Sequence, residues 1–384
     1  MIQHCRYFSR VVNPNFLFPT VFRKQQQPPP PPHLCLQFFR KFGDSVKKRT
    51  CKFEAVQLKS RSLLRLQGPD THQLLHGLIT NDITHLDSRP AIYSLFLNTQ
   101  GRVLYDSLIF NVTEGSDRQT YIECDSLVKN DLIKHLKIFK LRKKVDVVDI
   151  EEEKGSEIDL WVVFDHGHTV ITKELIKEEC CGQVIHQTSK RPELPISVDP
   201  SLRSFGDPRL NELGWRVLVP RSKAQSFPPK DITVSGEESY MRLRYALGVA
   251  EGSKELPAGN CFPLESNGDY LHGISFQKGC YIGQELTART HHTGVVRKRI
   301  MPFGLQDGSV IKDLDSATLQ IVNPGGKSLG KVRGTTETLG IGLIRIEEAL
   351  SAPELNIKDQ NIRVTVEKPF WWPIEASKEK QTRQ

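Results

Sequence analysis

The segment best equipped for chemistry is Lys278-Gly279-Cys280-Tyr281-Ile282-Gly283-Gln284-Glu285. Gly279 and Gly283 let the backbone approach a ligand closely or take positive φ. Lys278 stands two residues from the sulfur, and a helix opening near Gly283 would add its N-terminal field; both favour thiolate over thiol at Cys280. A thiolate is a nucleophile and a soft metal ligand. An unreactive loop cysteine fits the same residues equally well, so the local chemistry leaves both readings open. Glu285 and Arg289, four residues apart, can also pair on one helix face.

Asp106 is the second candidate. Alternation along a strand over 103–112 places Leu104, Asp106, Leu108 and Phe110 on one face. An acid on an otherwise apolar face is costly unless it is paired or used. A bulge or edge position that brings Asp106 to water or a backbone donor would satisfy it without any function.

Other features point more strongly to structure. His291 and His292 are read on a strand, where neighbours face opposite ways, which argues against a shared metal. Cys180-Cys181 lies among Lys and Glu and reads as a solvated turn. Arg297-Lys298-Arg299 reads as a solvated strand face before a phosphate site. Trp371-Trp372, between Pro369 and Pro373, reads as a terminal anchor packed on the body. No P-loop, no dinucleotide glycine pattern after a strand and no H-E-x-x-H is present, which disfavours nucleotide-driven, nicotinamide and zincin chemistry.

The elements that must position these residues follow from periodicity. Leu63, Leu64 and Leu66 predict a strand ended by Gly68-Pro69-Asp70, and Leu74, Leu75, Leu78 and Ile79 predict a short helix over 71–80. Strands over 93–97 and 103–112 flank a turn at Asn98-Thr99-Gln100-Gly101. Asp125 is a candidate N-cap for a helix burying Val128, Leu132, Leu136 and Phe139. Its last turns are basic (Lys134, Lys137, Lys140, Arg142), which suits the negative end of the helix dipole. Strands follow at 145–150, 158–164 and 215–219, with a proline-rich connection over about 189–208. Ser235-x-x-Glu238 predicts a capping box opening a helix to Leu247, with Gly248 as its stop. Short strands at 295–301, 317–322, 328–332, 339–346 and 362–366 predict an antiparallel barrel or sandwich. The mixed order argues an α+β fold, not a βαβ array.

The chain of 384 residues carries a formal charge of +8, but the charge is not evenly spread. Residues 1–52 hold ten Lys or Arg against one acid, Asp44, while the rest holds 43 basic and 44 acidic side chains. A body without excess positive charge argues against a nucleic-acid protein. The basic, acid-poor leader has the composition of a mitochondrial transit peptide. A spanning helix needs about 20 apolar residues, and no run approaches that length. Five body cysteines without a C-x-x-C pair predict free thiols in a reducing compartment.

The stretch from Leu271-His272-Gly273 through Lys278-Gly279-Cys280 to Leu286-Thr287-Ala288-Arg289 resembles the signature of the YgfZ family. That family is related to the folate-dependent aminomethyltransferase (T-protein, GcvT) of the glycine cleavage system. Residues 68–82, the hairpin from Asn98 to Leu108, Phe262-Pro263-Leu264-Glu265 and Phe370-Trp371-Trp372-Pro373 resemble family segments in the right order. With the leader, the resemblance points to the branch of mitochondrial iron–sulfur cluster assembly factors.

The resemblance implies a T-protein-like three-domain fold around a central folate-type opening. It places the leader at 1–52, α+β domains at 53–290, a C-terminal β-barrel at 291–375 and a disordered tail at 376–384. It implies tetrahydrofolate as a possible cofactor, with Asp106, Asn98, Glu265 and Glu285 on the cofactor side. It further implies maturation of [4Fe–4S] client proteins in the mitochondrial matrix, alongside A-type iron–sulfur carriers and without a membrane span or nucleic acid. One departure bears on chemistry: relatives carry paired acids in this strand, and here Tyr105 replaces the first, before Asp106. Aminomethyl transfer is thereby weakened and a thiol-dependent task favoured. Cys280 would supply one thiolate to a transient, shared [2Fe–2S] or [4Fe–4S] cluster, with Lys278 stabilising it. The alternatives are a tetrahydrofolate-dependent one-carbon transferase, with Asp106 as polarising acid, and a tRNA-modification factor.

Overall fold

Apolar residues recur at alternating and continuous spacing from Phe53 onward, and they pair into three sheets. The computed structural model describes residues 53–112, 119–153, 155, 157–165, 191, 193–194, 198–199, 201–306, 311, 319–360 and 362–373. The leader, Cys180-Cys181, part of the 189–208 connection and the tail lie outside the described residues.

The first half contributes β1 (Phe53–Gln57), β2 (Arg61–Gln67), α1 (Thr71–His76), β3 (Ala91–Leu97) and β4 (Val103–Asn111). It continues with β5 (Gln119–Asp125), α2 (Lys129–Lys140), β6 (Asp146–Asp149) and β7 (Ile158–Asp165). Then come β8 (Arg203–Gly206), β9 (Trp215–Pro220), β10 (Thr233–Ser235), α3 (Glu237–Leu247) and α4 (Gln284–Thr293). One sheet has the order β3-β4-β5-β2-β6 and a second β10-β1-β7-β9-β8.

Both faces of the first sheet are covered, which explains why β3 is buried throughout instead of alternating. One face packs Leu64, Leu66, Phe96 and Ile109 against Leu74 and Leu75 of α1 and Leu132 and Leu136 of α2. The other packs Tyr93, Leu95, Leu108 and Phe110 against Phe164, Phe205 and Leu243. Each such side chain contributes about 1.5–3 kcal/mol of burial.

The C-terminal strands close a barrel in the order β11-β14-β13-β12-β15-β16. They are β11 (Lys298–Leu305), β12 (Gln320–Val322), β13 (Ser328–Thr335), β14 (Leu339–Arg345), β15 (Leu355–Ile357) and β16 (Ile362–Val366). Trp371 donates its indole N–H to the Leu247 carbonyl at 2.7 Å, and Trp372 is buried beside Tyr270. Trp371 therefore anchors this segment to α3, while Trp372 packs with the barrel core.

Four local expectations change. The helix expected over 71–80 ends at His76, because Ile79 bridges to Phe96 and the Thr80 hydroxyl donates to Gly273. Ser235 is no N-cap: it pairs in β10 with Val56, and Gly236 precedes α3 without a side-chain cap. Gly248 ends that helix as expected, left-handed at φ 73°, its N–H on the carbonyls of Arg244 and Tyr245. His291 and His292 lie on α4, with His291 stacked on Phe276 at 3.6 Å. Arg299 is not solvated; it is buried in a two-pronged pair with Asp269.

Candidate functional site

Lys278 holds the cysteine segment in place. Its ammonium donates to the carbonyls of His76 (2.7 Å), Ile79 (2.7 Å) and Asn81 (2.8 Å), which uses all three of its N–H donors. Burial pushes its pKa down to about 8, against the pull of Asp82. Any help that Lys278 gives the sulfur therefore comes through its charge and not through a hydrogen bond. No donor is left over for Cys280, and the residue instead ties the loop to the turn after α1.

On its other side the loop meets the β3–β4 hairpin. Gly283 takes φ 77° at the start of α4 and lies against the Asn98 carbonyl and the Gly101 Cα. Only a residue without Cβ fits that approach. Asn98 shapes the hairpin, its side-chain oxygen accepting from the N–H groups of Gln100 and Arg102. Its side-chain oxygen thus shapes the turn against which Gly283 packs. Ile282 N–H also bonds the Gly77 carbonyl at 3.1 Å.

Held at both ends, the loop leaves Cys280 exposed, whereas Cys124 and Cys261 are buried. Burial pushes the Cys124 thiol up to about 12 and also raises Cys261. Cys280 is thus the accessible thiol among the described cysteines. His76, which sequence reasoning missed, brings its Nε2 to within 3.1 Å of where a Cβ of residue 279 would stand. Glu285 is exposed in the first turn of α4, and no ion pair joins it to Arg289 among the described residues.

Asp106 is 4% exposed. One oxygen accepts from Gly252 N–H at 3.0 Å, and the other lies 3.2 Å from the Arg61 guanidinium. It belongs to an ionic network that bridges the two sheets. Arg216 of β9 reaches Glu123 of β5 at 3.0 Å and Glu251 at 3.2 Å, while Arg209 holds Asp207 and Glu251, each at 2.7 Å. The Tyr240 hydroxyl accepts from Arg216 at 3.0 Å. Burial opposes the charge on Glu251, yet Arg209, Arg61, Arg244 and Arg216 hold its pKa well below the usual range. Asp106 Oδ2, although paired in charge with Arg61, has no hydrogen-bond partner and stays available as a buried acceptor.

Glu265 lies elsewhere, half-buried on the wall of a cavity beside the barrel. Burial raises its pKa, against the pull of Lys298, Arg333 and Arg102. Of the sequence candidates, then, Cys280, Lys278, Asn98 and Glu285 belong to one loop-and-hairpin assembly. Asp106 and Glu265 do not join it.

Residues 297–374 match the family described as CAF17, C-terminal beta-barrel domain. The chain is 36% identical over 334 residues to the mouse (Mus musculus) protein named iron-sulfur cluster assembly factor IBA57, mitochondrial. That alignment covers 83% of this chain and 86% of the mouse protein. The human (Homo sapiens) protein of the same name is 33% identical over 327 residues, covering 83% and 85%. Among solved structures, the glycine cleavage system aminomethyltransferase T of Bartonella henselae aligns with a TM-score of 0.61 at 12% identity, covering 83% of this chain and 86% of that one. At that identity the likeness is one of fold.

Proposed function

Because this chain belongs to the IBA57 family of mitochondrial iron–sulfur cluster assembly factors, the YgfZ-type branch of the GcvT-like proteins, we propose that it helps mature [4Fe–4S] proteins in the mitochondrial matrix by offering Cys280 as a cluster ligand. The observation that carries this reading is the exposed Cys280 on a loop fixed from two sides, by Lys278 and by Gly283.

The ligand count then defines the partner. An iron–sulfur cluster takes four protein ligands, mostly thiolates. The other described cysteines, Cys124 and Cys261, are buried. One accessible thiolate suits a cluster in transit, shared with a carrier that supplies the remaining ligands. The partner class is an A-type iron–sulfur carrier, and the products are [4Fe–4S] client proteins. The cluster is cargo, gained and lost at Cys280.

Lys278 contributes by holding the loop against Ile79 and Asn81, so that the thiol is presented without prior ordering. Tetrahydrofolate has no step in this reading, which rests on Cys280 alone.

The test mixes the protein, wild type or Cys280→Ser, with an A-type carrier loaded with [2Fe–2S] under anaerobic conditions. Absorption and Mössbauer spectra should report a shared cluster or [4Fe–4S] formation with wild type and its loss in the variant. Full [4Fe–4S] maturation by Cys280→Ser would refute the role.

A further inference from the structure

One side of the barrel, where it meets Arg102 and Phe262, carries a concentration of positive charge that the cluster reading does not use. A cavity of about 360 Å³ opens there, lined by Arg102, Lys298, Lys331, Arg333 and Arg345, with Glu265 as its one carboxylate. The volume lies at the lower end of the range of about 300–1,000 Å³ typical of small-molecule sites.

The sheet register assembles these charges. Lys298 of β11 stands directly opposite Arg345 of β14, and Lys331 of β13 opposite Leu343 of β14. Residues directly opposite, or two apart on one strand, share a face. Lys298, Arg345 and Lys331 therefore project from the same side of the barrel. Like charges placed directly across a strand pair are destabilising unless something compensates them. Arg345 has Glu348 at 3.3 Å. Among the described residues, Arg102, Lys298, Lys331 and Arg333 make no side-chain hydrogen bond and no ion pair within 4 Å. Arg102 instead lies over the Phe262 ring at 4.5 Å, leaving the edge of its guanidinium free. Arg333 sits where the β13–β14 register shifts, between Val332 and Gly334, and its Nε is buried without a hydrogen-bond partner. A bulge re-aims a side chain, and a buried unpaired donor is costly until a ligand meets it.

We propose that this cavity binds a small oligoanion carrying at least two carboxylate or phosphate groups. A single anionic group would leave most of these cations uncompensated. Two or more, spread across the cavity, can engage the Arg333 fork and the two lysines together. Arginine and lysine serve carboxylate and phosphate alike, so the two sources are separated by experiment. The assignment is independent of the role given to Cys280.

Full-length protein is titrated calorimetrically at low ionic strength with pyrophosphate, citrate and a hexaglutamate peptide. Saturable binding of pyrophosphate or citrate is expected, weakened at least about tenfold in Lys298→Ala/Lys331→Ala, as the loss of charge-assisted bonds requires. Lys331→Glu, at an exposed position, gives a second variant in which the fold is retained. Lys137→Ala/Lys140→Ala removes the same charge from α2 and should leave binding intact. A preference for pyrophosphate or for citrate supports the site and names its source. No binding of either, equal weakening by the α2 control, or binding of the peptide alone would overturn the proposal, the last in favour of an acidic protein partner.

Discussion

Gly283 approaches Asn98 so closely that a Cβ at position 283 would overlap the Asn98 carbonyl oxygen, and this contact joins the cysteine loop to the β3–β4 hairpin. Residue 283 also holds φ 77°. Gly283→Ala should therefore cost about 1–3 kcal/mol from backbone strain alone, with the overlap added. Urea unfolding measures the stability loss. Cluster transfer by the folded variant should fall as well, because the loop can no longer seat. A variant with unchanged stability would show that the contact does not matter.

Lys278→Met keeps the aliphatic stem and removes three donors. The carbonyls of His76, Ile79 and Asn81 lose a charged partner, an effect of about 2–4 kcal/mol that relief of the buried ammonium partly offsets. Hydrogen exchange over residues 77–82 and 278–283 should accelerate while the barrel strands stay protected. Equal protection in both proteins would remove the clamp from the account.

Arg216 is fully buried between Glu123 and Glu251. Removing one member of a buried ionic group strands its partners, at a cost of about 3–5 kcal/mol. Arg216→Met should lower the urea midpoint sharply, and adding Glu123→Gln should recover part of the loss. Additive losses in the double variant would argue that the two side chains are not coupled.

The same network sets an acid limit. Burial raises the carboxyls of Glu251 and Asp207, but the surrounding arginines outweigh it and lower both. Their folded pKa values thus lie below those of the unfolded chain, so the unfolded state binds more protons as pH falls. The stability they confer is present above about pH 4.5 and is lost progressively as pH drops toward the folded values. Urea midpoints measured from about pH 6 to pH 3 should decline, with a shallower slope in Glu251→Gln.

Much of this arrangement was legible in the residues. The Asn98–Gly101 turn, the Gly248 stop and the alternation of the barrel strands follow from local rules, and the family signature marked the loop around Cys280. Alternation also placed Asp106 on an apolar face and demanded a partner for it. The partner's identity was not legible, because Gly252 lies 146 residues away along the chain. The clamp made by Lys278 is hidden for a related reason: its acceptors are backbone carbonyls, which any sequence would supply. The three residues of β15 are too few to show a period. The helical setting of His291 and His292 is not legible, because nothing between Glu285 and Thr293 signals that the helix continues.

Closure of the barrel also sets an order of events. Its first strand, β11, pairs with β14 on one side and with β16 on the other. A chain delivered N-terminus first, from a ribosome or through a membrane pore, holds one edge of β11 unpaired until residues 362–366 arrive. The anchor of Trp371 on Leu247 is later still. The barrel is therefore closed only once residues 362–366 have emerged, and a chain truncated before them retains an open, adhesive edge on β11 in place of a closed barrel.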